Sequence, residues 1–201
     1  MSADKKLIVG LGEILWDLLP TGKKLGGAPA NFAYHSAMLG NRGVPVSRVG
    51  DDELGTEIEE VLKDLLLSVE GLQIDPTHPT GTVDVEIDSL GQPSYLIVEN
   101  VAWDHLEWTD ALQRLAVAAD AVCFGSLAQR ARGSRETIRR FLHASRADAV
   151  RFFDINIRQH YCSMEVLETS LELANIVKLN DEEMVRVADL LGLGAKGDLN
   201  A

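Results

Sequence analysis

Positive charge is scarce in this chain of 201 residues. Lys and Arg number 19 against 31 Asp and Glu, for a net charge of −12. A dedicated nucleic-acid binder would need a basic patch, so that class is excluded as an expectation. The same deficit disfavours an anionic membrane surface. Long apolar runs are also missing. None reaches the roughly 18 residues of a membrane span. The start, Met1 to Lys6, leads only into a short apolar run and lacks the pattern of a signal peptide. Only two cysteines occur, Cys123 and Cys162, without metal-like spacing, and they read as reduced thiols in a cytoplasmic protein. The five histidines are scattered, which argues against zinc. Low-complexity segments and close repeats are absent. A G-x-x-x-x-G-K-[ST] phosphate loop is absent too. Gly10-Leu11-Gly12 fails as a dinucleotide fingerprint because Leu15 stands where the third glycine belongs.

What remains is an ordinary globular composition, 46% hydrophobic and 25% charged, at a length that suits about one domain. Lys5–Gly10 reads as a buried strand, Asn31–Leu39 as a helix stopped by Gly40, and Pro45–Val49 as a second strand. Asp51 or Asp52 can cap a helix whose apolar residues Leu54, Ile58, Val61, Leu62, Leu65 and Leu66 recur at helical spacing. The period then changes. Thr82–Asp88 alternates, with Val83, Val85 and Ile87 opposed to acids, and Ser89–Pro93 is turn chemistry before the returning strand Ser94–Val98. One wet face sets this hairpin apart, in a smaller sheet. From Thr109 helices and short apolar strands alternate: helix 110–119, strand 121–124, helix 134–145, strand 149–154, helix 163–174, strand 176–179, and a last helix from near Asp181. That alternation predicts an α/β fold, a doubly wound, mainly parallel sheet with helices on both faces.

Ligands of open parallel sheets bind beyond the carboxyl ends of the strands. Those ends carry Gly10-Leu11-Gly12-Glu13 and Asp17, Gly125-Ser126, Asp154 to Arg158, and Asn180 to Glu183. Leu25-Gly26-Gly27-Ala28-Pro29-Ala30-Asn31 adds two glycines before a helix, where the backbone can approach a ligand. Asn31 either caps that helix or points an amide at a substrate. Asn180 with Glu183 also has the spacing of a capping box. Asp154 could cap a turn, Arg158 could be a surface ion pair, and Glu13 and Trp16 carry no assigned chemistry.

The segment from Gly26 to Gly50 resembles the N-terminal signature of the ribokinase/fructokinase-like (PfkB) sugar kinases, through Gly26-Gly27, Pro29, Asn31, Ala33, Gly40 and Gly50. Gly12 to Asp17 and the D-x-N-x-R segment Asp154–Arg158 resemble the fructokinase branch, and Asn180 to Glu183 resembles the family's N-x-x-E. The resemblance implies a ribokinase-like core with a small β lid, built from about residues 17–24 and 82–98. It implies that Asp17, Gly27 and Asn31 line a sugar pocket, with Arg158 near the sugar or the transferred phosphate. Asn180 and Glu183 would organise Mg²⁺ near the phosphates of ATP. The substrate would be a small sugar, with fructose favoured, and a homodimer through the lid is plausible. The family's G-A-G-D-like segment, which carries the catalytic base and an anion hole, has no counterpart here, since Lys196 interrupts Gly194-Ala195-Lys196-Gly197-Asp198. The expectation is one domain over residues 1–201, incomplete at its C-terminus and inactive alone. A non-catalytic sugar-binding or regulatory module and a non-functional truncated product are the competing readings.

Overall fold

The computed structural model describes residues 5–87 and 93–193. Most of the expected Ser89–Pro93 turn and all of Gly194–Asp198 lie outside the described residues. In chain order the elements are β1 (Leu7–Leu11), β2 (Leu15–Leu19), β3 (Gly22–Gly26), α1 (Ala28–Met38), β4 (Arg42–Gly50), α2 (Glu53–Asp64) and β5 (Leu72–Asp75). There follow β6 (Thr82–Ile87), β7 (Pro93–Ile97), α3 (Asp110–Ala118), β8 (Ala121–Gly125), α4 (Arg132–Ala144), β9 (Val150–Asp154), α5 (Met164–Leu173), β10 (Ile176–Lys178) and α6 (Asp181–Leu190).

Six strands form one sheet in the order β10-β9-β8-β1-β4-β5, every neighbouring pair parallel. Continuous apolar runs suit strands covered on both faces. Val44, Val46 and Val49 of β4, Val122 and Phe124 of β8, and Phe153 of β9 are buried, with the Phe124 and Phe153 rings stacked 5.1 Å apart. From β1 the chain winds outward through β4 and β5, then returns to β8 on the other side. The order therefore reverses at β1/β8, the position where open α/β sheets bind ligands. Close packing of α1 on this sheet requires glycine: a Cβ on Gly10 would lie 1.9 Å from the Pro29 carbonyl oxygen.

The second sheet has the order β3-β2-β6-β7, with β2/β6 parallel and the two outer pairs antiparallel. It holds residues 17–24 and the described part of 82–98. One side of β2 sends Leu15 and Leu19 into the main core, while Trp16 and Leu18 join a second cluster with Val49, Ile58 and Leu62. Lys23, Lys24, Tyr95 and Leu96 are exposed on its outer strands.

Two local expectations need correction. The first helix begins at Ala28, not at Asn31, because Pro29 lies in its first turn, where the missing N–H has no partner to lose. Its N-cap is Gly27, without a side-chain bond, so Asn31 is not the cap. Strand β5, too short at Leu72–Asp75 to show a period, pairs with the end of β4.

Asp52 is the N-cap of α2. Its carboxylate accepts from the Gly55 N–H at 2.8 Å, the Thr80 N–H at 2.8 Å and the Thr80 hydroxyl at 2.6 Å. Burial works to raise this carboxyl, but those donors outweigh it and hold it below the usual carboxylate range. Asp52→Ala should therefore cost about 2 kcal/mol, the lost cap plus a stranded Thr80, measured as a shift of the urea midpoint at unchanged slope.

Candidate functional site

The end of β1 turns sharply at Gly12, φ +150°, and delivers Glu13 and then β2 across the mouth of the main sheet. Asp17 lies on β2 in register with Lys24 of β3, and its carboxyl rests against Gly26, where a Cβ would sit 2.6 Å from Asp17 Oδ2. Gly27 follows at φ +112°, which L side chains rarely adopt, and its own Cβ would stand 2.4 Å from the Glu13 carbonyl oxygen. Only glycine lets the start of α1 come this close to the β1–β2 loop. Asn31 sits one turn into α1, its N–H bonded to the Gly27 carbonyl at 3.0 Å and its side chain exposed.

From the other side, β9 ends at Asp154, whose carboxylate pairs with Lys178 at 3.0 Å, so it does not cap a turn. Asn156 and Gln159 both take positive φ, 42° and 49°, and bend the segment so that Arg158 emerges exposed. The Arg158 charge reaches both acids of the first strands. Burial raises the Asp17 carboxyl above its ordinary range while Arg158 opposes it. Burial also pushes Glu13 up to about 7. The backbone N–H groups of Glu13 and Ala28 work downward, Asp154 adds a further rise, and Arg158 lowers it. Asp17, Gly27 and Arg158 therefore converge on one rim, with Asn31 on the helix that Gly27 starts.

Asn180 and Glu183 are joined to the same rim. They form a capping box at the start of α6: Glu183 N–H donates to Asn180 Oδ1 at 2.8 Å and Asn180 N–H to Glu183 Oε2 at 2.9 Å. The other oxygen, Glu183 Oε1, accepts the N–H of Ile157 at 2.9 Å. One buried carboxylate thus ties α6 to the segment that carries Arg158. Among the described residues no group of three or more His, Cys, Asp or Glu is placed to hold a metal directly. Nor is any helix among them long and apolar enough to cross a membrane.

Two features escaped sequence reasoning. Glu13, only 2% exposed, is the charged residue inside the apolar stretch Leu11–Trp16. That setting was the available signal. The second is a buried ion pair, Arg130 with Asp104, at 2.8 Å. Arg130 also donates to the Val98 carbonyl just after β7 at 2.6 Å and stacks over Trp103. Together with the Gln159 side-chain amide, which donates to the Tyr95 carbonyl at 2.9 Å, it fastens the second sheet over the rim.

This arrangement agrees with the comparisons to known proteins. The family model described as "pfkB family carbohydrate kinase" matches residues 20–198. An uncharacterized sugar kinase of Pyrococcus horikoshii is 30% identical over 96% of this chain and 67% of its own length. Its crystal structure superposes with a TM-score of 0.82, and it has also been solved in complex with ATP. The fructokinase of Salmonella typhimurium is 31% identical over 89% of this chain and 61% of its own length. A fructokinase structure from Xylella fastidiosa, 25% identical, covers 94% of this chain and 63% of that one at a TM-score of 0.82. The chain thus spans roughly three fifths to two thirds of the length of these relatives. With the matching signature lying on the rim where its second sheet meets the parallel one, the chain belongs to the pfkB family of carbohydrate kinases.

Proposed function

We propose that this chain is the sugar-binding part of an ATP-dependent sugar kinase, with fructose as the first candidate substrate. The observation that carries the reading is the placing of Asp17, on β2 and against Gly26, at the same sheet rim as the segment after β9 that carries Arg158. The two lie far apart in sequence, yet the Arg158 charge works against the burial that raises the Asp17 carboxyl. A carboxylate accepts sugar hydroxyls, and the Asn31 amide can both donate and accept. Arg158 is a fixed cation suited to an anionic phosphoryl group. The relatives named fructokinase favour fructose among sugars.

ATP would supply the phosphoryl group, and phosphoryl transfer depends on positioning and charge stabilisation. Asn180 and Glu183 would face its Mg²⁺. Both Glu183 oxygens already accept backbone N–H groups, so magnesium fits here through water rather than by direct ligation. The sequence has no G-A-G-D-like segment, so the 201-residue chain on its own is expected to bind sugar without ordinary turnover.

Titration calorimetry with fructose, glucose and ribose, with and without ATP, tests the binding, and a coupled ADP assay tests the turnover. Fructose binding without phosphorylation supports the reading. Ordinary kinase rates from this chain would overturn its second half. Asp17→Ala should weaken fructose binding about 30-fold, the value of one or two hydrogen bonds to a charged acceptor, with little change in melting temperature. Unchanged affinity in that variant would remove Asp17 from the site.

A further inference from the structure

The segment between β9 and α5, residues 155–163, has neither helix nor strand, yet β10, β8, α6 and the second sheet all hold it. At its start the Ile155 N–H donates to the Lys178 carbonyl at 3.1 Å, and the hydroxyl of Ser126, the residue after β8, donates to the Ile155 carbonyl at 2.6 Å. The Ile157 N–H goes to Glu183 of α6. Gln159 is then bonded at both ends. Its backbone carbonyl accepts from the Arg186 guanidinium of α6 at 2.8 Å, and its side-chain amide donates to the Tyr95 carbonyl of β7 at 2.9 Å. Tyr161 adds a second bond on that side, its hydroxyl donating to the Glu99 carboxylate at 2.8 Å.

Two features set Gln159 apart from an ordinary surface glutamine. Strand β7 is the last of its sheet, where outward carbonyls have no partner strand, and Gln159 satisfies one of them. Its φ of 49° lies in the left-handed region, which costs a side chain energy and which glycine would adopt freely. Such a conformation persists where the surroundings fix it from several directions. The neighbouring Arg158 side chain is exposed and makes one long hydrogen bond, 3.4 Å, to the Ile157 carbonyl. The place of Arg158 is therefore set by the segment that carries it and not by a contact of its own.

We propose that Gln159 is a positioning residue of the sugar site: its amide pins the sheet that carries Asp17 to the segment that carries Arg158, and so sets the gap that a sugar fills. Gln159 touches no sugar in this arrangement. Because Arg186 holds the same residue by its carbonyl, α6, which begins with Asn180 and Glu183, is tied into the same setting. Without the amide, sheet and segment part in the free protein. Binding must then draw them together, and affinity falls by the fraction of molecules that stay closed.

This inference rests on the sugar-binding reading, and its test separates the two. Gln159→Met keeps the length and loses the donor. Its melting temperature should hold, since the side chain is exposed, while calorimetry should show fructose affinity falling about fivefold, the worth of one neutral hydrogen bond. Gln159→Arg, which again has a donor for the Tyr95 carbonyl, should recover most of that loss. A merely structural role would make affinity follow the melting temperature instead. Unchanged affinity in Gln159→Met, or no recovery in Gln159→Arg, overturns the proposal. Without sugar, the Leu96 N–H resonance, from the same peptide unit as the Tyr95 carbonyl, and the Arg158 Nε–H resonance should both shift in Gln159→Met and return in Gln159→Arg. If the wild-type chain binds no fructose, the sugar reading falls. The resonances then decide the link alone, and an Arg158 signal that stays still while that of Leu96 moves refutes it.

Discussion

Arg130→Met should lower the stability of this chain by about 3–5 kcal/mol, the usual consequence of stranding one member of a buried ion pair. Arg130 and Asp104 are 7% and 4% exposed at their side chains. The guanidinium makes a fork with both carboxylate oxygens at 2.8 Å, which is why so little of either charge needs water. Without Arg130, Asp104 keeps, among the described residues, the N–H of Val101, at 3.2 Å, and its charge stays enclosed. The same substitution frees the Val98 carbonyl and removes the cation from the faces of Trp103 and Tyr161, so the second sheet loses a fastening to the segment between β8 and α4. Thermal melts should fall by roughly 10 °C for a chain of this size. The double variant Arg130→Met/Asp104→Leu should recover most of the loss, because it buries no unpaired charge. A single-variant cost below about 1 kcal/mol would mean that water reaches this pair.

Arg130 shows where sequence reading stops. Gln129-Arg130-Ala131-Arg132 looks like a basic surface stretch, and nothing local distinguishes the arginine that is buried from the one two residues later that is exposed. The difference is made by Asp104 and Trp103, brought from a 3₁₀ turn at Ala102–His105. By contrast β8 and β9 were legible almost to the residue, because parallel strands covered on both faces must be continuous apolar runs. Strand β2 was not legible by period. Its apolar residues continue those of β1, and only the backbone at Gly12 breaks the run. The proposed sugar-site residues Asp17, Gly27, Asn31 and Arg158 come from the motif resemblance rather than from physics. The approach of Asp17 to Gly26, and of Gly27 to the Glu13 carbonyl, is made by tertiary contacts that spacing does not contain. The contribution of Glu183 shows the mixture well: the capping box was readable from Asn180-x-x-Glu183, whereas its bond to the Ile157 N–H joins two distant segments.

Raising the pH from about 4.5 to 8 should cost the folded chain about 3 kcal/mol at Glu13 alone, and Glu13→Gln should abolish that loss. The ordinary value of a glutamate is 4.5, and burial, first among its causes, lifts this one to about 7. Between those limits the folded chain holds a proton that the unfolded chain has released. Stability therefore falls as pH rises wherever the folded state binds more protons, and the full cost is reached above about 7. This runs opposite to Asp52 and Asp75. Burial is the leading influence on both and works upward, yet their hydrogen-bond donors hold both carboxyls low, so they stabilise the fold above the ordinary carboxylate range and lose that contribution toward acid. Asp17, also raised by burial, adds to the trend that Glu13 begins, so the wild-type curve by itself cannot be divided between them. The comparison with glutamine can. At pH about 4.5 the two proteins should melt together, and at pH about 8 Glu13→Gln should be the more stable by up to about 3 kcal/mol. Two parallel curves, with the variant equally displaced at every pH, would show that the Glu13 carboxyl is ionised throughout and that the fold holds it by a contact other than a proton. The gain at high pH would also bear on the rim itself: a chain that keeps an acid where an amide is more stable gives up that stability to have a charge directly behind Gly27.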